Sequence, residues 1–158
     1  MLSSSMIYII LRTFPESLVA IFSGVYIIGL DVPKKELVKY GLILGTIVLM
    51  IRSLPINFGV HTVLSMMALG MILFKLTNKD ILKTIVSTCS FFISLALSEG
   101  VYVFIATVIL KIPMEFLTNN EDYRCALITL PSLIITIAIV FIIKKIVYLV
   151  LFKDYKRG

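Results

Sequence analysis

The sequence predicts an all-α integral membrane protein, a bundle of five transmembrane helices. Three observations predict it. Hydrophobic residues make up 59% of the chain, against about 45–50% in a soluble domain. The charged 15% falls in clusters, and the apolar runs between them reach the roughly 20 residues that cross a bilayer. The runs also lack the polar face of a water-facing helix, and mean hydropathy is +1.07. An outer-membrane barrel would alternate apolar and polar residues over about ten positions; this chain does not. The unit is one membrane domain spanning 1–158.

The first helix is expected over 6–30, interrupted by Arg12, Pro15 and Glu16. Its start has no basic region and no small-residue cleavage site, so it reads as a retained helix and not a signal peptide. An interfacial turn leading into a span from about Phe14 fits Pro15. Asp31 to Lys39 is a charged loop, where Pro33 helps stop the helix. The second helix is expected over 37–51. Arg52 to Gly59 is a polar break, followed by the single histidine, His61.

The third helix is expected over 57–74, and Lys75 to Lys83 is a basic loop. The fourth covers 84–110. At about 1.5 Å per residue it is about 40 Å long, against a hydrocarbon core of about 30 Å. It should therefore be tilted, or kinked near Gly100. Lys111 to Arg124 is the most polar loop. The fifth helix is expected over 125–152, with Pro131 inside it.

Charge sets the orientation. With five helices, Lys34, Lys35, Lys75, Lys79, Lys83, Lys144 and Lys145 share one side with the basic C-terminal tail. The positive-inside rule makes that side cytoplasmic, N-terminus out and C-terminus in. A six-helix alternative splits 84–110 at Glu99 and puts the basic tail outside. These lysines then read as membrane-surface anchors that snorkel to headgroups. The formal charge of +6 is a membrane-surface signal and not a nucleic-acid one.

Five ionisable residues lie in or beside the apolar runs: Arg12, Glu16, Arg52, His61 and Glu99. A charge inside a bilayer is costly unless paired, so all five should face the bundle interior. The expected network pairs Glu16 with Arg52 or Arg12, and Glu99 with His61 or a bound cation. Arg12 and Glu16 are also spaced i, i+4. Two readings stand side by side. One is a structural polar network that fixes helix register. The other is a pocket in the outer half of the bilayer for a small ligand, a proton or a peptide, with His61 able to titrate near neutral pH.

Thr13-Phe14-Pro15, Ser53-Leu54-Pro55 and Thr129-Leu130-Pro131 each fall near the outer end of a helix. Proline suits a helix start, so Pro15, Pro55 and Pro131 read as helix-start residues. They are either ordinary starts or parts of a repeated unit converging on one site. Gly41 and Gly45 form a GxxxG for close helix packing, as do Ser87, Ser90, Ser94 and Ser98. Cys89 and Cys125 stand apart as inert thiols.

No HExxH, GxSxG, P-loop or GxGxxG occurs, so no enzymatic activity, metal or cofactor is expected. Phe58-Gly59-Val60-His61 resembles the histidine half of small Firmicute membrane proteases that process autoinducing peptides. Those carry a cysteine seven residues on; here that position is Ala68, so the activity is not expected. More broadly, Arg52 to Thr62 with Leu97-Ser98-Glu99 resembles uncharacterised clostridial-type membrane proteins. Some of these resemble the membrane input domains of GHKL-type sensor histidine kinases. That resemblance implies a multi-helix sensor that signals to a cytoplasmic kinase. The sequence ends at Gly158 without phosphoacceptor or ATPase segments, which fits a stand-alone relative, an accessory subunit or a fragment.

The expected function is therefore a sensory or interaction module in the bacterial cytoplasmic membrane. Its partners would be the lipid bilayer and a protein partner or second copy, with a small ligand or peptide of unknown identity. The alternatives are a small transporter or transporter subunit, and a structural subunit of a membrane complex.

Overall fold

The computed structural model describes residues 2–54, 58–109, 111 and 130–147. Among the described residues it has five α-helices and no strand. They are α1 (Leu2–Ile28), α2 (Lys34–Ser53), α3 (Phe58–Leu76), α4 (Ile81–Phe104) and α5 (Pro131–Val147). Among the described residues, three stretches are long and apolar enough to cross a membrane: Ile9–Ile28, Gly59–Leu76 and Ile81–Ile109. Helix α2 carries Lys34, Lys35, Glu36 and Lys39 at one end and Arg52 at the other. The described part of α5 is 17 residues.

Helix α1 is the hub and packs against each of the other four. Around it, α2 meets α3, α3 meets α4, and α4 meets α5. Register can be read from paired contacts. Arg12 bonds Glu99, and the Gly24 carbonyl accepts from the Ser87 hydroxyl at 2.8 Å. Both pairs are twelve positions apart on each helix, so α1 and α4 run antiparallel in step for about 18 Å. Helices α1 and α2 do the same through Leu18 against Gly41 and Phe14 against Gly45. A Cβ on Gly41 would lie 2.5 Å from Leu18 Cδ2, and one on Gly45 2.9 Å from the Phe14 ring. The GxxxG is therefore spent on the α1–α2 contact inside the chain.

The interior mixes apolar and hydroxyl side chains. Ile21, Leu69, Leu73 and Phe91 are fully buried, and so are Ser87, Ser94 and Ser98 on one stripe of α4. Several hydroxyls are satisfied locally, as Ser94 is on the Ser90 carbonyl at 2.7 Å, while the buried Ser23 hydroxyl has no partner among the described residues. Others bridge helices, as Ser98 does to Thr136 of α5 at 2.6 Å. The outer surface is apolar, with Met50, Val63, Met71, Ile93 and Ile142 all more than half exposed. Such a surface is compatible with a membrane location.

Several boundaries differ from the sequence expectation, each for a local reason. Helix α1 does not break at Pro15 but runs through it. Proline removes one backbone hydrogen bond, and tertiary packing on all sides holds the helix together. The stop comes at Gly29, not at Pro33. Gly29 takes φ 75°, its N–H donates to the Tyr26 carbonyl at 3.1 Å, and the Leu30 N–H to that of Val25 at 3.2 Å. This is a Schellman C-cap. Pro33 instead precedes α2, so Lys34, Lys35 and Lys39 belong to that helix and not to a loop.

Helix α4 begins at Ile81, three residues early, because Asp80 caps it through Oδ1 to the Lys83 N–H at 3.2 Å. It is one helix and is not interrupted at Gly100. The irregularity lies further on, in a π-helical turn over Ile105–Ile109. Helix α5 starts at Pro131, which is its first residue and so a true helix start. The expected portions 125–129 and 148–152 lie outside the described residues.

Candidate functional site

The polar cluster is built on two adjacent turns of α1. Arg12, Thr13 and Glu16 share one end of that helix, and their partners arrive from α4 and α2. Arg52 closes α2 with Nη2 at 2.9 Å from both carboxylate oxygens of Glu16. Its Nη1 donates to Thr13 Oγ1 at 3.0 Å. Thr13 is fully buried, so the guanidinium spans an ion pair and a buried hydroxyl. Arg12 Nη2 donates to Glu99 Oε1 and forms the second ion pair, between α1 and α4.

Arg12 and Glu16 are thus not paired with each other, despite their helical spacing. Each reaches to a different neighbour. Glu99 takes Arg12 and not His61. The two pairs differ in exposure. The Glu16 side chain is 17% exposed and that of Glu99 44%.

His61 is half-buried, and its Nδ1 is enclosed without a hydrogen-bond partner among the described residues. Ser65 follows it by one turn. Together with Glu16, Ser17 and the Phe91 and Phe92 rings, Ser65 lines a half-open pocket of about 20 Å³. That volume holds about one water molecule. Among the described residues, no group of three His, Cys, Asp or Glu side chains is placed to hold a metal ion.

The opposite end of the bundle is basic. Lys34, Lys35, Lys39, Lys75, Lys79 and Lys145 are exposed, and Lys83 and Lys144 half-buried. Lys144 Nζ lies 3.6 Å from the Tyr26 ring centroid, a cation–π contact tying α5 to α1. Asp80 pairs with Lys83 at 2.9 Å. That hydrogen bond, then the Lys83 backbone N–H, holds the Asp80 carboxyl below its ordinary range. Sixteen residues of α4 separate Lys83 from Glu99, so the ion pairs stand about 24 Å from the lysine layer.

Of the three proline motifs, Pro131 is a helix start, Pro15 is interior to α1, and Pro55 lies outside the described residues. The motifs do not form a common set of helix starts. Sequence reasoning missed Thr13 as a partner of Arg52. Its signal was the i, i+3 spacing from Glu16, which puts both on one face of α1. No family model, curated protein or solved structure matches the chain.

Proposed function

We propose that the chain is an integral membrane protein that serves as a sensory or interaction module, with the lysine end at the cytoplasmic face. The supporting observation is the separation of charge. One end carries eight lysines against Asp31, Glu36 and Asp80. Among the described residues, the other carries Lys111 and two arginines, Arg12 and Arg52, each arginine matched by a carboxylate from another helix. That pattern follows the positive-inside rule, with the N-terminus outside.

Within this reading the two ion pairs set how α2 and α4 stand against α1. Each of these two carboxylates is already taken up by an arginine of a neighbouring helix. The water-sized pocket beside Glu16 also favours a register-setting network over a solute path. The sequence resemblance to sensor input domains points the same way: a helix bundle whose relative helix positions carry a signal to a partner.

The test is purification of the full chain from native membranes in mild detergent after brief crosslinking. The expected result is a stoichiometric protein partner, lost when Arg12 and Glu99 are both neutralised. Recovery of the chain alone, together with Glu99-dependent proton or solute flux in liposomes, would favour the transporter reading instead.

A further inference from the structure

A groove of about 260 Å³ runs along the outer surface between α3 and α4. Val63, Met66, Met67 and Gly70 line it on one side, Ile85 and Cys89 on the other. Gly70 creates it. A Cβ there would meet only Thr88 Oγ1, at 3.8 Å. Unlike Gly41 and Gly45, this glycine brings no helix closer and simply leaves space. The two threonines at the groove turn their hydroxyls inward. Thr88 donates to the Thr84 carbonyl and Thr84 to the Asp80 carbonyl, each at 2.8 Å. The groove is therefore apolar, and its methionines are adaptable packing partners.

The groove leads to the turn joining α3 and α4. Lys75 lies five residues beyond Gly70, about 7.5 Å along the helix. Lys83 immediately precedes Thr84. Lys79 is fixed between them in the left-handed region, φ 71°, with its N–H on the Phe74 carbonyl at 3.0 Å. Asp80 is the acid of the turn and engages Lys83. Lys75 and Lys79 are exposed and carry no ion pair among the described residues. The apolar groove thus runs toward a turn that carries two exposed lysines with no ion pair among the described residues.

We propose that this groove holds one anionic phospholipid, with an acyl chain along Gly70 and its headgroup on Lys75 and Lys79. The proposal rests on the membrane reading above. A second copy of the chain would cover the apolar groove but would bring the same lysines to the contact, so like charges oppose it. The anionic lipid satisfies both halves of the site.

The experiment is native mass spectrometry of the full chain, extracted in mild detergent from vesicles of equal phosphatidylglycerol and phosphatidylcholine. The wild type should retain one lipid, with phosphatidylglycerol favoured about fivefold or more. Gly70→Leu, which fills the groove without touching backbone, should lose the lipid. Lys75→Gln/Lys79→Gln should keep a lipid but bring the preference to about one. Lys144→Gln/Lys145→Gln, at the same end but on α5, should behave as wild type. Equal retention of both lipids, an unaffected Gly70→Leu, the same loss from the α5 pair, or a dimer mass abolished by Gly70→Leu would each overturn the proposal. Carbonate extraction reads the membrane claim separately. A chain released by carbonate fails that reading, whereas an embedded chain without lipid preference fails only the lipid site.

Discussion

Arg52 of α2 places Nη2 at 2.9 Å from both carboxylate oxygens of Glu16 on α1, while its Nη1 holds Thr13. One guanidinium thus fixes the end of α2 at two points on the hub helix. The second pair, Arg12 with Glu99, does the same for α4. Each ion pair has one member on α1, Glu16 in one and Arg12 in the other, so α1 sets the height of its neighbours.

Removing one member of the Glu16–Arg52 pair should cost more than removing both. Arg52→Gln leaves Glu16 without its cation in a mostly enclosed site, a loss of about 1–3 kcal/mol, below the fully buried case because both side chains are partly exposed. Glu16→Gln should cost a similar amount, and the double variant less than the sum. Thermal unfolding in detergent across the double-mutant cycle measures this. Strict additivity would mean the pair does not act as a unit.

The helix glycines should divide by what surrounds them. Gly41→Ala drives a Cβ into Leu18 and should destabilise by about 1–3 kcal/mol. Gly100→Ala meets nothing within 4 Å and should stabilise α4 by about 0.5–1 kcal/mol. Unfolding midpoints of the two variants should move in opposite directions.

The contrast shows how far the chain could be read without coordinates. Five helices, their order and the need of Glu16 and Glu99 for partners were all legible from the apolar runs and the cost of an isolated charge. Glu16 with Arg52 was one of two pairings left open. Glu99 with Arg12 was not foreseen, because which helices lie side by side depends on lateral packing that hydropathy does not carry. The GxxxG read as a close contact, yet only the structure assigns that contact to α1. Pro15 misled because local propensity favours a helix start there, while packing on every side keeps α1 intact. Gly29 was the missed stop, although a glycine just past a long apolar run is a standard C-terminal signal.

Acid should loosen the turn between α3 and α4. The Asp80 carboxyl is held below its ordinary value of about 3.9 by Lys83. A group lowered on folding stabilises above its unfolded pKa, and that contribution disappears as pH falls through the folded value. Hydrogen exchange at the first-turn amides of α4, Lys83 among them, should therefore accelerate below about pH 4. Asp80→Ala should show fast exchange at every pH. A wild-type rate with no acid dependence beyond the intrinsic one would contradict the capping role.

Glu99 should be dispensable for any proton movement. Reconstituted Glu99→Gln should match wild type in a liposome acidification assay, while losing the stability that the Arg12–Glu99 ion pair contributes between α1 and α4. Flux in wild type that vanishes in Glu99→Gln would make this carboxylate a carrier and displace the structural account of the pair.

The claim that organises the rest is that the ion-pair end faces outward and the lysine end faces the cytoplasm. The direct measurement uses a background with Cys89→Ser and Cys125→Ser, carrying either Ser53→Cys or Lys79→Cys, both exposed positions at opposite ends. Intact cells are treated with a membrane-impermeant maleimide. The account predicts labelling of Ser53→Cys in intact cells and of Lys79→Cys only after permeabilisation. Labelling of Lys79→Cys in intact cells, with Ser53→Cys protected, would contradict it.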